Sequence, residues 1–127
     1  MKREEVAKRM RESIINHDKE LLYDTYNALY LSIHHFVNHE IGLKAHYPEL
    51  SFRRQGGIDV FEFKENALTI RFSQEENKII VSKRTKKDEK LLDEITSDNG
   101  KLICHEGEFI INEIDDYLSR CFAKLLK

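Results

Sequence analysis

The chain has 127 residues, of which 40% are hydrophobic and 35% are charged, so it lies outside the composition range of disordered chains. Its 21 basic and 23 acidic residues leave a formal net charge of −2, which gives no overall field to attract nucleic acid or an anionic membrane. One proline and five glycines leave little room for a flexible linker, so we expect a single α+β domain over residues 1–127.

The sequence predicts a cytoplasmic protein without a membrane partner. Glu4 and Glu5 stand where a signal peptide would have its apolar core. No apolar run approaches the ~20 residues that are needed to span a bilayer. The two cysteines, Cys104 and Cys121, lie within apolar patterns, and secreted proteins of this size usually carry a denser disulfide framework.

Two helices are predicted at the start of the chain. Val6, Met10 and Ile14 recur every four residues and indicate a weakly amphipathic helix over 2–15. Over 19–41, apolar residues fall within an arc of about 140°, which predicts a stronger helix that ends at Gly42. Because no glycine or proline forces a break between them, the two helices could be separate or continuous.

A three-stranded antiparallel meander is expected next, over 58–63, 68–72 and 78–83, because these segments have a period of two and are rich in aromatic and β-branched residues. Glu65 and Asn66 are predicted to form the first turn. A short edge strand over 51–54 is left open.

The last third of the chain is predicted to hold a helix, a hairpin and a final helix. Thr85 followed by Asp88 resembles a capping box, and the spacing of the apolar residues behind it indicates a short helix over 85–95. Strands are expected over 102–105 and 109–111, and an amphipathic helix after Asn112.

The expected fold is therefore α+β in the order α-α-β-β-β-α-β-β-α, with an antiparallel sheet of four to five strands and the N-terminal and C-terminal helices packed against it. The residues that we expect to be nearly fully buried are Leu29, Ile33, Ile70, Phe72, Leu118 and Phe122.

No catalytic residue, metal ligand or cofactor is predicted. His35 and His39 have the helical spacing of a metal-binding pair, but nothing in the sequence provides a third ligand. Cys104 and His105 are neighbours in a predicted strand, where successive side chains point to opposite faces, so we expect no contact between them. Both cysteines are interpreted as core residues.

A basic run at a strand-to-helix junction supports an alternative function. Lys83, Arg84, Lys86 and Lys87 could bind phosphates if they met on one surface. The near-neutral total charge and the absence of a nucleic-acid motif make this the second choice.

Apolar side chains at unexpected positions in one strand and one helix support the preferred function. Strand 58–63 carries Phe61 and Phe63 on one face as well as apolar residues on the other, and Leu31 falls on the outer side of its helix by helical count. A helix on each face or a bulge would explain this pattern within one chain, and these readings together are favoured. The remaining explanation is a partner-binding surface that contains Leu31, Phe61 and Phe63.

Two resemblances to known proteins accompany these patterns. The opening ten residues, Met-Lys-Arg-Glu-Glu-Val-Ala-Lys-Arg-Met, resemble the start of short uncharacterised proteins (domains of unknown function) of low-GC Gram-positive bacteria, which supply no activity to carry over. The expected order of elements from residue 19 onward is similar to that of type III secretion chaperones, which are small dimeric proteins that bind an extended segment of a partner. The present chain differs from them by its extra N-terminal helix and its balanced charge.

We therefore expect a non-enzymatic protein-interaction module: a small cytoplasmic adaptor, regulator or chaperone-like binder whose partner is another protein or a second copy of itself. A nucleic-acid-associated protein is the alternative, and an enzyme of unrecognised type is third.

Overall fold

The computed structural model describes residues 1–42 and 48–126, which form two helices and seven strands with two short helical turns. In chain order the elements are α1 (Arg3–His35), a π-helical turn (Phe36–Ile41), β1 (Leu50–Gln55), β2 (Ile58–Phe63), β3 (Asn66–Ser73), β4 (Lys78–Arg84), β5 (Glu89–Asp98), β6 (Lys101–Cys104), β7 (Gly107–Glu108), α2 (Glu113–Phe122) and a 3-10 turn (Ala123–Leu126).

The seven strands form one open antiparallel sheet in the order β1-β2-β3-β4-β5-β6-β7, so each strand pairs with its neighbours in sequence. Short turns make this meander possible. Lys64, Asn77 and Asn99 each adopt a positive φ at a turn between strands. The β2–β3 turn lies one residue earlier than predicted, because Asn66 already belongs to β3 and donates a hydrogen bond of 2.8 Å to the Cys121 carbonyl.

The predicted α+β class and the packing of both helices on an antiparallel sheet are confirmed, whereas the predicted number and order of elements are wrong. The segment predicted as a helix over 85–95 is largely strand β5. Thr85 and Asp88 do form the hydrogen bonds of a cap, but these bonds close the turn between β4 and β5. The pairing of β5 with β4 shifts register beside Val81, and this β-bulge interrupts the period of two, so the sequence lacks a strand pattern there.

The two predicted N-terminal helices are one continuous helix. α1 has 33 residues and is about 50 Å long. It widens into the π-helical turn and ends at Gly42, whose φ of 70° and hydrogen bond to the Val37 carbonyl match the predicted left-handed cap. No helix in the described residues is both long enough and apolar enough to cross a membrane.

At the other end of the sheet, the hairpin is shorter than predicted. β7 contains only Gly107 and Glu108, and the segment predicted as a strand over 109–111 leads into α2 instead. The Phe109 amide extends the pairing by one bond to the Leu102 carbonyl, after which Ile110 and Ile111 are exposed.

The core lies between one face of the sheet and the two helices. Leu29, Ile33, Ile70 and Phe122 are buried as predicted, whereas Phe72 and Leu118 are only half-buried. The buried residues of α1 and α2 belong to a single cluster with Phe61, Leu68, Ile70, Ile79, Val81 and Ile95 of the sheet. Both helices therefore cover the same face, and no described helix covers the other.

Candidate functional site

Phe61 and Phe63, which were predicted to bind a partner, lie on the helix-covered face of β2. The pairing of β2 with β1 places them opposite Phe52 and Leu50. Phe61 is only 2% exposed and belongs to the core, as the explanation within one chain requires, and it does not form part of an exposed patch. The physical reason is that α1 and α2 both pack on the face of the sheet that carries Phe61.

Phe61 and Phe63 nevertheless line a cavity of about 520 Å³ at the surface. We call it the aromatic cavity. Its walls come from the π-helical turn, β1, β2, α2 and the 3-10 turn. Nine of its twelve lining residues are apolar: Phe36, Ile41, Leu50, Phe61, Phe63, Leu118, Phe122, Ala123 and Leu126. A cavity of this size lies in the range of typical ligand-binding sites.

The base of the aromatic cavity is a row of phenylalanine rings in edge contact. Phe61 is central, with ring centroids 6.1 Å from Phe36 and 5.3 Å from Phe122. Phe63 contacts Phe122 from the other side at 6.4 Å. Edge-to-face contacts of this kind fix the ring positions, so the cavity has a rigid apolar base.

The polar groups of the cavity are the hydroxyl of Ser119 and two carboxylates. Glu49 and Asp115 are exposed and give the rim a negative charge. The Lys64 ammonium lies 5.3 Å from the centroid of the Phe63 ring, so the aromatic wall already has a cation beside it. Glu49, Asp115 and Lys64 together leave a net charge of −1 around an apolar base.

The aromatic cavity opens beside an unpaired sheet edge. β1 is the first strand of the sheet, and in the part of the chain that the structure describes no strand pairs with its outer side. Leu50 belongs both to this edge strand and to the wall of the cavity. An edge strand offers backbone donors and acceptors to an added strand.

Leu31 is 63% exposed, but it does not join this site. By helical count it points almost directly away from the stripe of α1 that contains Leu29 and Ile33 and that packs on the sheet. The three residues that were predicted to bind a partner therefore do not form one surface.

The four basic residues of the β4–β5 connection are not brought together on one surface either. Lys83 and Arg84 are strand neighbours and point to opposite faces of the sheet. The Arg84 guanidinium pairs with Glu62 at 3.1 Å, and Arg53 pairs with the same carboxylate at 2.9 Å. Lys86 and Lys87 are exposed in the turn.

A second cluster, around the buried carboxylate of Asp93, was not predicted from the sequence. The carboxylate accepts hydrogen bonds from the Glu94 and His105 amides, the Tyr117 hydroxyl and the His105 ring. The hydrogen bond to Asp93 raises the pKa of His105 above its ordinary value. Burial and the same carboxylate raise the pKa of Tyr117.

Cys104 lies close to this cluster, although its side chain and that of His105 were predicted to point to opposite faces. Their sulfur and ring nitrogen lie within 4.8 Å of each other and of an Asp93 oxygen. Strand β6 ends at Cys104, so the alternation of faces no longer applies to His105. Carboxylate oxygens of Glu106 and Glu113 also lie within 4.8 Å of a ring nitrogen of His105.

This arrangement does not favour nucleophilic catalysis. Cys104 is buried, and burial raises the pKa of its thiol, so the thiolate that would attack a substrate is disfavoured. The Asp93 oxygens already have protein donors. Burial likewise raises the pKa of Cys121, to about 12.

His35 and His39 lie side by side on the exposed surface, with ring centroids 4.7 Å apart. Across the described residues, no third side chain with a ligand atom joins them.

Comparison with known proteins gives no match: no family model, no curated protein and no solved structure matches this chain. The similarity to type III secretion chaperones also loses its basis, because the order of elements that suggested it includes a helix where β5 lies.

Proposed function

We propose that the protein is a non-enzymatic interaction module that binds an extended segment of another protein in the aromatic cavity and along β1. The observation that carries this proposal is the apolar cavity of about 520 Å³ with acidic groups on its rim. Apolar pockets with few polar groups are the usual form of binding sites.

The position of the cavity favours an extended segment as the occupant. A strand added beside β1 would place alternate side chains on the face of Leu50, next to the cavity. Backbone hydrogen bonds to β1 would provide affinity, and the cavity would select an apolar side chain. Glu49 and Asp115 favour a lysine or arginine next to that side chain.

We place this function in the cytoplasm. Both cysteines are free and buried, which suits a reducing compartment. Nucleic-acid binding through Lys83, Arg84, Lys86 and Lys87 stays a prediction, and the ion pair between Arg84 and Glu62 weakens its basis.

Nuclear magnetic resonance titration with synthetic peptides tests the proposal. Ten-residue peptides with a central Phe followed by Lys should shift the amide signals of Leu50–Gln55 and of 118–123. Peptides with Glu in place of Lys should bind more weakly, and those with Ala in place of Phe more weakly still. The absence of shifts at these residues with every peptide would contradict the proposal.

Two exposed alanines provide a matched pair of variants. Ala123→Trp places an indole in the mouth of the cavity and should weaken peptide binding about tenfold or more. Ala28→Trp makes the same change on α1, away from the cavity, and should leave binding unchanged. Equal affinities for the two variants would show that the peptide binds elsewhere.

A further inference from the structure

The first half of α1 extends beyond the sheet. The first fully buried residue of the helix is Leu22, and the hydrogen bonds of Asp18 to Ser97 and Gly100 mark the point where the helix meets the β5–β6 turn. We call residues 3–17 the arm, and it is about 22 Å long. Every residue of the arm except Val6 is exposed.

The arm lacks the packing that normally keeps a helix folded. Met10, Ile14 and Ile15 are 62%, 55% and 47% exposed. The ion pair between Arg9 and Glu5 is exposed to solvent on both sides and adds little to the stability of the helix. The geometry points to a second copy of this chain as the partner that covers the arm.

The arm and the residues directly after it carry a stripe with the spacing of a two-helix seam. Ala7, Met10, Ile14, His17 and Leu21 follow one another at alternating spacings of three and four residues, which is the a and d spacing of a coiled coil, and all of them except His17 are apolar. By helical count this stripe lies about 110° from the stripe that packs on the sheet. A second helix can therefore reach the seam while α1 stays on its own sheet.

The charges indicate that the two arms pair antiparallel. Residues 2–11 contain five basic and two acidic side chains, a net charge of +3. Residues 12–24 contain four acidic and one basic side chain, a net charge of −3 with histidine neutral. Summed over each segment, these charges favour an antiparallel pair, which places the basic segment of each arm beside the acidic segment of the other, and the like-charged Arg11 side chains that flank the seam near its centre oppose it locally. Antiparallel helix dipoles also attract.

The seam pattern gives the register of this pair. With the two-fold axis near residue 12, Met10 of each copy lies opposite Ile14 of the other, and Ala7 lies opposite His17. The axis then coincides with the change of charge between residues 11 and 12. Two-fold pairs of this kind are the commonest oligomers. The pairing is independent of the aromatic cavity.

Light scattering of the full chain over a range of concentrations tests the pairing. We expect twice the 15.1 kDa mass of one chain at high concentration, with an affinity that falls as salt screens the charges. Ile14→Glu should raise the dissociation constant about 100-fold or more, since it places a carboxylate in the seam of both copies. Ile110→Glu is the matched control, because Ile110 is 57% and Ile14 is 55% exposed.

Three outcomes would overturn the pairing. One is a monomer at every concentration up to about 1 mM. Another is a dimer that Ile110→Glu weakens as much as Ile14→Glu does. The third is a dimer that Ile14→Glu leaves intact. Circular dichroism of both variants shows whether the rest of the fold is retained, which we expect because both isoleucines are exposed.

Disulfide formation tests the orientation. A mixture of the Met10→Cys and Ile14→Cys proteins should form a mixed disulfide faster than either protein forms one alone, because these positions meet only in the antiparallel register. The native Cys104 and Cys121 are buried and should contribute little. Faster crosslinking within each single variant would indicate a parallel pair and overturn the proposed orientation.

Discussion

The apolar residues of the two halves of α1 have similar spacing, but those of one half are buried and those of the other half are exposed. In the half that packs on the sheet, Leu22, Tyr26, Leu29 and Ile33 are at most 2% exposed. In the arm, the apolar residues recur every three to four positions as well, yet Met10 and Ile14 are more than half exposed. The comparison teaches that helical periodicity predicts where a side chain points, while the rest of the fold decides whether anything covers it.

Aromatic contacts account for much of the difference. Tyr26 stacks on Phe72 with ring centroids 5.6 Å apart, and Tyr30 packs on Phe52 at 5.1 Å. The Arg54 guanidinium lies 4.0 Å from the centroid of the Tyr26 ring and pairs with the buried carboxylate of Asp59. The contacts of Tyr26 and Tyr30 join the packed half of α1 to the sheet, and the arm has no strand beneath it among the described residues.

The largest expected effect comes from removing a buried side chain on the packed half. Leu29→Ala should lower the free energy of unfolding by about 3 kcal/mol, because it leaves a cavity in the core. Ile14→Ala in the arm should change the free energy of unfolding of the monomer by about 0.5 kcal/mol or less. Urea unfolding of both variants in dilute solution measures the difference. Similar losses for the two variants would mean that the arm packs on the domain.

The boundary between the halves should have an intermediate effect. Asp18 accepts hydrogen bonds of 2.8 Å from the Ser97 hydroxyl and 2.9 Å from the Gly100 amide. Asp18→Ala should cost about 1–2 kcal/mol, because it removes both acceptors at once. Asp24→Ala, an exposed acid one and a half turns further along, is the control. If the two changes cost the same, the contact of Asp18 does not anchor the helix.

The elements that could be predicted from the sequence have unbroken local patterns. The strand over 58–63 matches β2 to the residue, and the left-handed cap at Gly42 follows from the freedom of glycine at positive φ. Strand β5 could not be predicted, because its β-bulge removes the alternation that identifies a strand. The capping residue Thr85 forms the same local hydrogen bonds in a turn as at a helix start.

The candidate site was predictable only in part, because it depends on contacts between distant segments. The unexpected apolar character of Phe61 and Phe63 drew attention to the part of β2 that lines the aromatic cavity. The rings of Phe36 and Phe122, which contact Phe61, belong to segments far from β2 in the sequence, and no periodicity within one element predicts that they meet. The cluster around Asp93 was missed for the same reason, since His105 and Tyr117 approach it from different elements.

Hydrogen exchange should distinguish the two halves by their dependence on concentration. If the arm is ordered by pairing, its amides exchange through the monomer, so their protection should rise about threefold for each tenfold rise in concentration. The amides around Leu29 should be protected to the same degree at all concentrations, because they open only with the domain. Arm amides without any concentration dependence would contradict pairing.

The smallest expected effect is a pH dependence that is confined to the domain. The hydrogen bond to Asp93 raises the pKa of His105, with smaller contributions from the charges of Asp93, Glu106 and Glu113. A group whose pKa is raised by folding stabilises the fold fully below its unfolded pKa of about 6.5, and that contribution is lost as the pH rises through the higher folded value.

His105→Asn keeps an N–H donor near Asp93 and removes the charge. The variant should therefore lose more stability relative to the wild type at acidic pH, well below the unfolded pKa, than at alkaline pH. Urea unfolding of the variant and of the wild type at both pH values measures this difference. An equal loss of stability for His105→Asn at acidic and alkaline pH would contradict this prediction. It would mean that the neutral imidazole stabilises the fold through Asp93 as much as the charged imidazole does.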